Sequence, residues 1–202
     1  MSETREKLHI KSIAVYCGSS SGNKENFTKA ARELGTLFVQ EEIELVYGGG
    51  GAGLMGAVAD AVLESGGKVH GVITESLWQR EAAHQHLTSL KIVPNMHERK
   101  FCMSDLADAF IALPGGFGTL DELFEVVTWN QLGIHSKPCG ILNVDGYFDH
   151  LISFMHSMVN DAFIQPNHLS YFVVSDHPQE LLESLRAWKP VMTEKIVRAE
   201  DR

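Results

Sequence analysis

Two sets of residues in this chain have the types and spacing for chemistry on a phosphorylated ligand. The first is Pro114-Gly115-Gly116-Phe117-Gly118-Thr119-Leu120-Asp121-Glu122, which follows the apolar run Ala109–Leu113. The run is short, uncharged and β-compatible, while the residues from Leu120 onward repeat their apolar positions at helical spacing, so the glycines sit where a buried strand becomes a helix. Glycines let backbone approach a ligand closely, and the first helical turn leaves N–H groups unpaired at its positive end; together they make an anion site. The second set is Arg99-Lys100, cations just before the preceding strand. Glu122 beside an anion would be repelled unless a cation lay close, and Arg99, with Met103 and Leu106 at helical spacing, is expected at the start of a half-buried face. A bidentate guanidinium beside a carboxylate suits phosphate and sugar chemistry.

The helix start has a purely structural reading as well. Thr119-Leu120-Asp121-Glu122 has the spacing of a capping box, in which Thr119 and Glu122 would satisfy terminal N–H groups reciprocally. Leu120, Leu123, Phe124 and Val127 share one apolar face, which leaves Val126 and Trp129 with Glu122 and Glu125 on the other. An apolar pair off the core face predicts a pocket wall or a subunit contact, hence a homodimer.

The elements that must position these residues alternate along the chain. Strands are expected at 12–17, 44–47, 68–74, 90–93, 109–113, 138–144 and 172–175, and helices at 26–40, 54–64, 96–107, 119–131, 147–160 and 178–187. Alternation of this kind reads as a single-domain, doubly wound, Rossmann-like α/β fold, a parallel sheet with helices on both faces. The domain spans 12–188, between a polar segment at 1–11 and a charged tail at 189–202 expected to lack regular structure. In such sheets ligands bind outside the carboxyl ends of the strands, where strand order switches. The loops Gly18–Gly22, Gly48–Gly53 and Gly115–Gly118 all fall at such ends, which makes Gly18, Ser19, Gly49 and Gly50 candidate ligand contacts.

Composition narrows the function classes. A chain of 202 residues with 44% hydrophobic residues fits one domain with a substantial core. A net charge of −9, with 17 dispersed Lys and Arg, argues against nucleic acid as a partner. The N-terminus is charged, and no apolar run is long enough to span a bilayer, so a cytoplasmic protein with no membrane association is expected. Cys17, Cys102 and Cys139 lack metal or disulfide spacing and read as buried apolar residues. His84 and His86 form an isolated HxH pair without a third ligand, so no metal site is expected.

Gly51-Ala52-Gly53-Leu54-Met55-Gly56 matches GxGxxG, and Glu75 lies near the place of a ribose-binding acid, as in a dinucleotide enzyme. That fingerprint belongs on the first strand of its unit, whereas here a strand and helix precede it and a different glycine loop follows.

Pro114-Gly115-Gly116-Phe117-Gly118-Thr119 ending in Glu122 resembles the PGGxGTxxE motif of the LONELY GUY family, phosphoribohydrolases that have carried a lysine decarboxylase label, and Met96-His97-Glu98-Arg99-Lys100 resembles its second signature. The likeness runs from about Ser12 to Leu185 and includes Cys17-Gly18-Ser19-Ser20, Tyr47-Gly48-Gly49-Gly50, Leu132-Gly133-Ile134-His135 and Asn143-Val144-Asp145-Gly146-Tyr147. It implies hydrolysis of the N-glycosidic bond of a nucleoside 5′-monophosphate, commonly a cytokinin nucleotide, without a cofactor. By the same resemblance Arg99 and Glu122 are the catalytic pair. Nucleotide contacts fall on Glu81, Arg99, Lys100, the span Gly116, Phe117, Gly118, Thr119, Leu120, Asp121 and Glu122, and Thr128. Gln79 stands where relatives often have proline and Asp121 where many have glutamate. Decarboxylation would usually need pyridoxal phosphate on a lysine, and no lysine lies in a plausible cofactor loop. The competing reading is a protein that binds and carries a nucleotide or phosphorylated cofactor; retention of both Arg99 and Glu122 favours the hydrolase. An alkylated adenine would need an apolar extension of the pocket, for which Trp78, Val126 and Trp129 are candidates.

Overall fold

The computed structural model describes residues 8–79 and 83–190. Seven parallel strands, β1 (Ser12–Tyr16), β2 (Glu44–Tyr47), β3 (Val69–Thr74), β4 (Ser89–Val93), β5 (Ala109–Ala112), β6 (Cys139–Leu142) and β7 (Phe172–Ser175), form one sheet in the order β4-β3-β2-β1-β5-β6-β7. The helices are α1 (Glu25–Gln40), α2 (Gly53–Glu64), the short α3 (Glu75–Trp78), α4 (Met96–Leu106), α5 (Phe117–Gln131), α6 (Asp149–Asn160) and α7 (Pro178–Ala187).

Both faces of the sheet are covered, as the near-continuous apolar strands require. Along β1 the side chains alternate: Ile13 and Val15 join the core beneath α1, α2 and α7, while Ala14 and Tyr16 join the one beneath α4, α5 and α6. The chain winds outward from β1 to β4, then returns to pair β5 on the other side of β1. That reversal puts the switch point between β1 and β5, so the loops after these two strands border one crevice. They are joined there by the Gly18 N–H donating to the Pro114 carbonyl at 3.0 Å.

Strand and helix positions follow the periodicity closely, with β2 and α7 on the expected residues. The helix expected at 147–160 begins later, at Asp149, after a 3₁₀ turn at Val144–Gly146 in which Asp145 has φ 50° and Gly146 φ 70°. Two successive left-handed residues cannot continue a right-handed helix. The four-residue α3 and a 3₁₀ turn at Pro166–Tyr171 are too short to leave a periodic signal. Of the charged tail, Lys189 and Pro190 are described, and residues 191–202 lie outside the described residues, as do 1–7 of the polar N-terminal segment.

Gly35, in the middle of α1, shows what close packing asks of sequence. A Cβ there would lie 2.7 Å from the Val58 carbonyl oxygen and 2.8 Å from the Ala61 Cβ of α2. Glycine in a helix interior costs up to about 1 kcal/mol, offset here by the near contact of the two helices. Gly35→Val should therefore separate α1 from α2 and lower stability by roughly 1–3 kcal/mol in denaturant unfolding; an unchanged midpoint would show that the α1–α2 contact yields without cost.

Candidate active site

Arg99 lies on the first turn of α4, and its side chain is only 9% exposed. Its Nε–H donates to the Val72 carbonyl at 3.0 Å and its Nη2 to the Gly48 carbonyl at 3.2 Å, so the carboxyl half of β3 and the residue after β2 hold the guanidinium by two edges. This approach is possible because residue 48 is glycine: a Cβ there would fall 2.0 Å from Nη2. With those donors committed, Nη1 faces Glu122, 3.4 Å from Oε1.

Glu122 comes from α5, and the start of that helix corrects the sequence reading. The N-cap is Gly116, extended at φ −100°, ψ −152°, and no side chain caps the helix, which begins at Phe117. Thr119 is thus the third helical residue, buried, and Glu122 points at Arg99; the capping box is not formed. The first intrahelical backbone bond is from Leu120 N–H to the Gly116 carbonyl at 3.2 Å. The N–H groups of Phe117, Gly118 and Thr119 precede it and have no acceptor within the helix, which leaves them as anion donors at its positive end.

The second glycine loop differs in this respect. At the start of α2 the N–H groups of Leu54 and Met55 both donate to the Gly18 carbonyl, at 3.0 and 3.3 Å. A Cβ on Gly53 would meet the Ser19 backbone at 2.3 Å, and one on Gly56 the Gly51 carbonyl oxygen at 2.4 Å. The GxGxxG glycines therefore serve close backbone packing, and part of the donor set that a pyrophosphate would need is already used.

A cleft of about 420 Å³ joins these parts, lined by Cys17, Met55, Leu77, Arg99, Glu122 and the Gly116–Thr119 turn together with Gly18 and Ser19. It adjoins a second cleft of about 330 Å³ past Gly116, bordered by Ser19–Ser21, Phe27 and Tyr147. Burial pushes the Glu122 carboxyl up to about 7, against the opposing pull of Arg99; Asp121 adds to the rise, Lys100 opposes it and Glu125 adds again. Burial likewise pushes the Cys17 thiol well up, so it is a neutral part of the floor.

Other candidate residues take different places. Lys100 Nζ lies 3.0 Å from both Asp121 and Glu125, so its ammonium is directed at α5. Gly115 lies under Thr119, where a Cβ would fall 2.1 Å from the Thr119 Oγ1. Leu120 packs against the core. Gly49 accepts the His84 N–H at 3.1 Å, and Gly50 bridges Ala83, so both brace the segment after α3 and neither lines the cleft. Thr128, two turns beyond Glu122, is exposed and donates to the Phe124 carbonyl at 2.7 Å. Glu81 lies outside the described residues. Val126 is a correction: at 1% exposure it belongs to the core under α5, because buried Thr119, Leu123 and Asn130 share its side of the helix. Trp129 is half-buried between Phe101 and His135. His84 is satisfied by Asp60 at 2.9 Å.

Three contributors escaped the sequence reading. Tyr147 donates its hydroxyl to the Gly115 carbonyl at 2.6 Å and steadies the glycine turn; it stands in the Asn143–Tyr147 string but gives no periodic signal. Met55 and Leu77 supply the apolar wall, and nothing in their local pattern separates them from core residues.

Residues 55–185 match the family model described as possible lysine decarboxylase. The chain is 48% identical over 185 residues to a cytokinin riboside 5′-monophosphate phosphoribohydrolase of Arabidopsis thaliana, covering 92% of this chain and 81% of that one. It is 51% identical over 178 residues to a probable enzyme of the same name from Oryza sativa subsp. japonica, with 88% and 71% covered. Among solved structures, the molybdenum cofactor carrier protein of Chlamydomonas reinhardtii superposes with a TM-score of 0.68 at 17% identity, covering 89% of this chain and 98% of that one. A molybdenum cofactor binding protein of Rippkaea orientalis gives 0.67 at 21%, covering 89% and 98%. At such identities the likeness is one of fold.

Two predictions follow from the geometry. A Cβ at Gly116 meets nothing within 4 Å and its φ is negative, so Gly116→Val should fold normally while its branches stand over the N–H groups of the turn. Calorimetric titration should find nucleotide affinity lost, at least about a hundredfold; retained affinity would move the anion site elsewhere. The second prediction concerns pH. Because the folded-state value of Glu122, about 7, exceeds the ordinary 4.5, the folded protein keeps a proton that the unfolded chain releases between those limits. Stability from this group is therefore present at low pH and lost as pH rises through 7. Relative to the parent, Glu122→Gln should gain on the order of 2–3 kcal/mol between pH 5 and pH 8; a difference that stays flat with pH would place Glu122 in the ordinary carboxylate range.

Proposed function

The chain belongs to the LONELY GUY family of cytokinin riboside 5′-monophosphate phosphoribohydrolases, and on that premise we propose how its residues cleave the N-glycosidic bond of a nucleoside 5′-monophosphate to free base and ribose 5-phosphate. The observation that carries the reading is the buried Arg99–Glu122 pair, 3.4 Å apart, in one cleft with the uncapped N-terminus of α5. The 5′-phosphate is received by the N–H groups of Phe117, Gly118 and Thr119, where the helix dipole favours an anion. Met55 and Leu77 form the apolar side that receives the base and its alkyl substituent.

Breaking a ribosyl bond builds positive charge on the sugar ring. A carboxylate beside the anomeric carbon stabilises that charge and takes the proton of the attacking water. With a value of about 7, Glu122 is basic enough to accept that proton and still substantially ionised at neutral pH. Arg99 keeps the carboxylate oriented and shifts it toward the charged form; lysine would keep the charge but could not satisfy the Val72 and Gly48 carbonyls together.

A nucleotide or cofactor carrier would need the anion site and not the buried pair, so the pair distinguishes the two readings. The protein is cytoplasmic on this account and acts on a free nucleotide. It also acts as a homodimer: Phe101, Leu132 and Ile134 are 63%, 52% and 64% exposed, and Phe101 and Ile134 both touch Trp129, giving an apolar surface along α4 and the end of α5.

The direct test is incubation with AMP and with isopentenylated AMP, with separation of the products. Free base and ribose 5-phosphate are expected, with Glu122→Gln slower by at least about a hundredfold and nucleotide affinity kept or raised. Binding without turnover in the parent would favour the carrier. For assembly, sedimentation should find a dimer at micromolar concentration and a shift toward monomer in Phe101→Glu; a monomeric parent would contradict the surface assignment.

A further inference from the structure

Lys100 follows Arg99 in sequence, and Asp121 precedes Glu122, so the catalytic pair has a second pair of charged neighbours on the same two helices. Lys100 Nζ is 3.0 Å from Asp121 Oδ2 and 3.0 Å from Glu125 Oε1, and its side chain is 11% exposed. The two carboxylates are unequal partners: Asp121 is 59% exposed and Glu125 23%. Solvent screens the first contact far more than the second, so the Lys100–Glu125 bond carries most of the attraction. Glu125 has one further feature, a buried Oε2 with no hydrogen-bond partner among the described residues. An unsatisfied buried acceptor is destabilising, and an apolar residue at this position would avoid it.

We propose that Lys100, Asp121 and Glu125 are a positioning clamp for the catalytic pair, with Glu125 its anchor, and that Lys100 acts on the reaction through the surroundings of Glu122 and not as a ligand of the phosphate. The proposal rests on the reading of Glu122 as the catalytic carboxylate. Two contacts between α4 and α5, one at Arg99–Glu122 and one at Lys100–Glu125, fix rotation as well as distance, which a single contact cannot do. Their charges also balance. The groups that face Glu122 are Arg99 and Lys100 from α4, Asp121 and Glu125 from its own helix, and Tyr16 and Cys17 from the end of β1, whose neutral forms burial favours. Within this set Lys100 pulls the Glu122 proton off and Glu125 holds it on. Lys100 itself stays charged: burial opposes its charge, but the hydrogen bonds it donates to Asp121 and Glu125 outweigh that and raise its affinity for the proton. A lysine so engaged would have to give up both carboxylates to reach a phosphate.

The clamp makes opposite predictions for its two ends. Glu125→Gln keeps shape and an acceptor for Lys100 but removes a negative charge, so Glu122 should ionise at lower pH. Lys100→Gln removes the cation, so Glu122 should ionise at higher pH. The readouts are the acid limb of kcat/KM against pH with isopentenylated AMP, and the carboxyl titration of Glu122 by NMR in ¹³C-glutamate-labelled protein. Shifts of roughly half a pH unit or more are expected, down for Glu125→Gln and up for Lys100→Gln, with KM changed less than about threefold. The substrate phosphate titrates near pH ~6 in every arm and cancels in the comparison. Lys100→Arg should restore the parental limb. The proposal is overturned if Glu122 titrates at the same pH in the parent and in folded Glu125→Gln, or if Lys100→Gln raises KM more than about tenfold with the limb unmoved, the mark of a phosphate ligand. Should the NMR shifts occur while the limb stays fixed, the clamp stands and the catalytic role of Glu122 falls.

Discussion

The site depends on one constraint, the burial of a guanidinium against the carboxyl half of β3 and the residue after β2. Arg99 cannot shed its proton, so a position with almost no solvent requires fixed partners. The Val72 and Gly48 carbonyls satisfy two of its edges and Glu122 stands at the third. Much of the local architecture follows from that requirement. Residue 48 is glycine because any side chain would occupy the space of Nη2. The first turn of α4 comes close to β2 and β3 because Arg99 reaches back to them. Since α5 starts in the crevice between β1 and β5, its second turn brings a carboxylate, Glu122, to the same point.

Burial that satisfies Arg99 works against Glu122. The loss of water outweighs the neighbouring cation and leaves the carboxyl near neutrality, so at physiological pH the folded protein carries a charge at some cost in stability. A general base is useful in that range, and stability given up at one residue is a common feature of such sites. The N–H groups at the α5 terminus likewise have no backbone acceptor among the described residues. Gly116 in the N-cap position, with no side-chain cap, leaves the turn open, and Tyr147 holds the loop in place from the far side.

How much of this was legible in the sequence varies with the range of the interactions. Strands and helices were read from local periodicity, and the crevice from the order in which glycine loops follow strands, because both depend on neighbours in the chain. The partnership of Arg99 and Glu122 was inferred from charge balance and family resemblance, yet the carbonyls that fix Arg99 come from residues 27 and 51 positions away and leave no local signature. The Thr119–Glu122 spacing suggested a capping box because it cannot show where the helix begins, and an N-cap glycine three residues before the expected start removed it. Val126 was assigned to the outer face from a helical pattern with too narrow an apolar stripe; the core under α5 also takes in buried Thr119 and Asn130, whose polarity hid their side of the helix. For Lys100, adjacency to Arg99 suggested a shared role, but neighbouring residues on a helix point about 100° apart, and Lys100 meets Asp121 and Glu125.

The central claim is that the α5 N-terminus holds the phosphate while Glu122 stands at the anomeric carbon. The measurement closest to it is a crystal structure of Glu122→Gln with uncleaved isopentenylated AMP. The account predicts phosphate oxygens within hydrogen-bond distance of the N–H groups of Phe117, Gly118 and Thr119, the anomeric carbon beside the carboxamide of residue 122, and the base against Met55 and Leu77. A phosphate seated on Lys100, or an anomeric carbon turned away from residue 122, would contradict it.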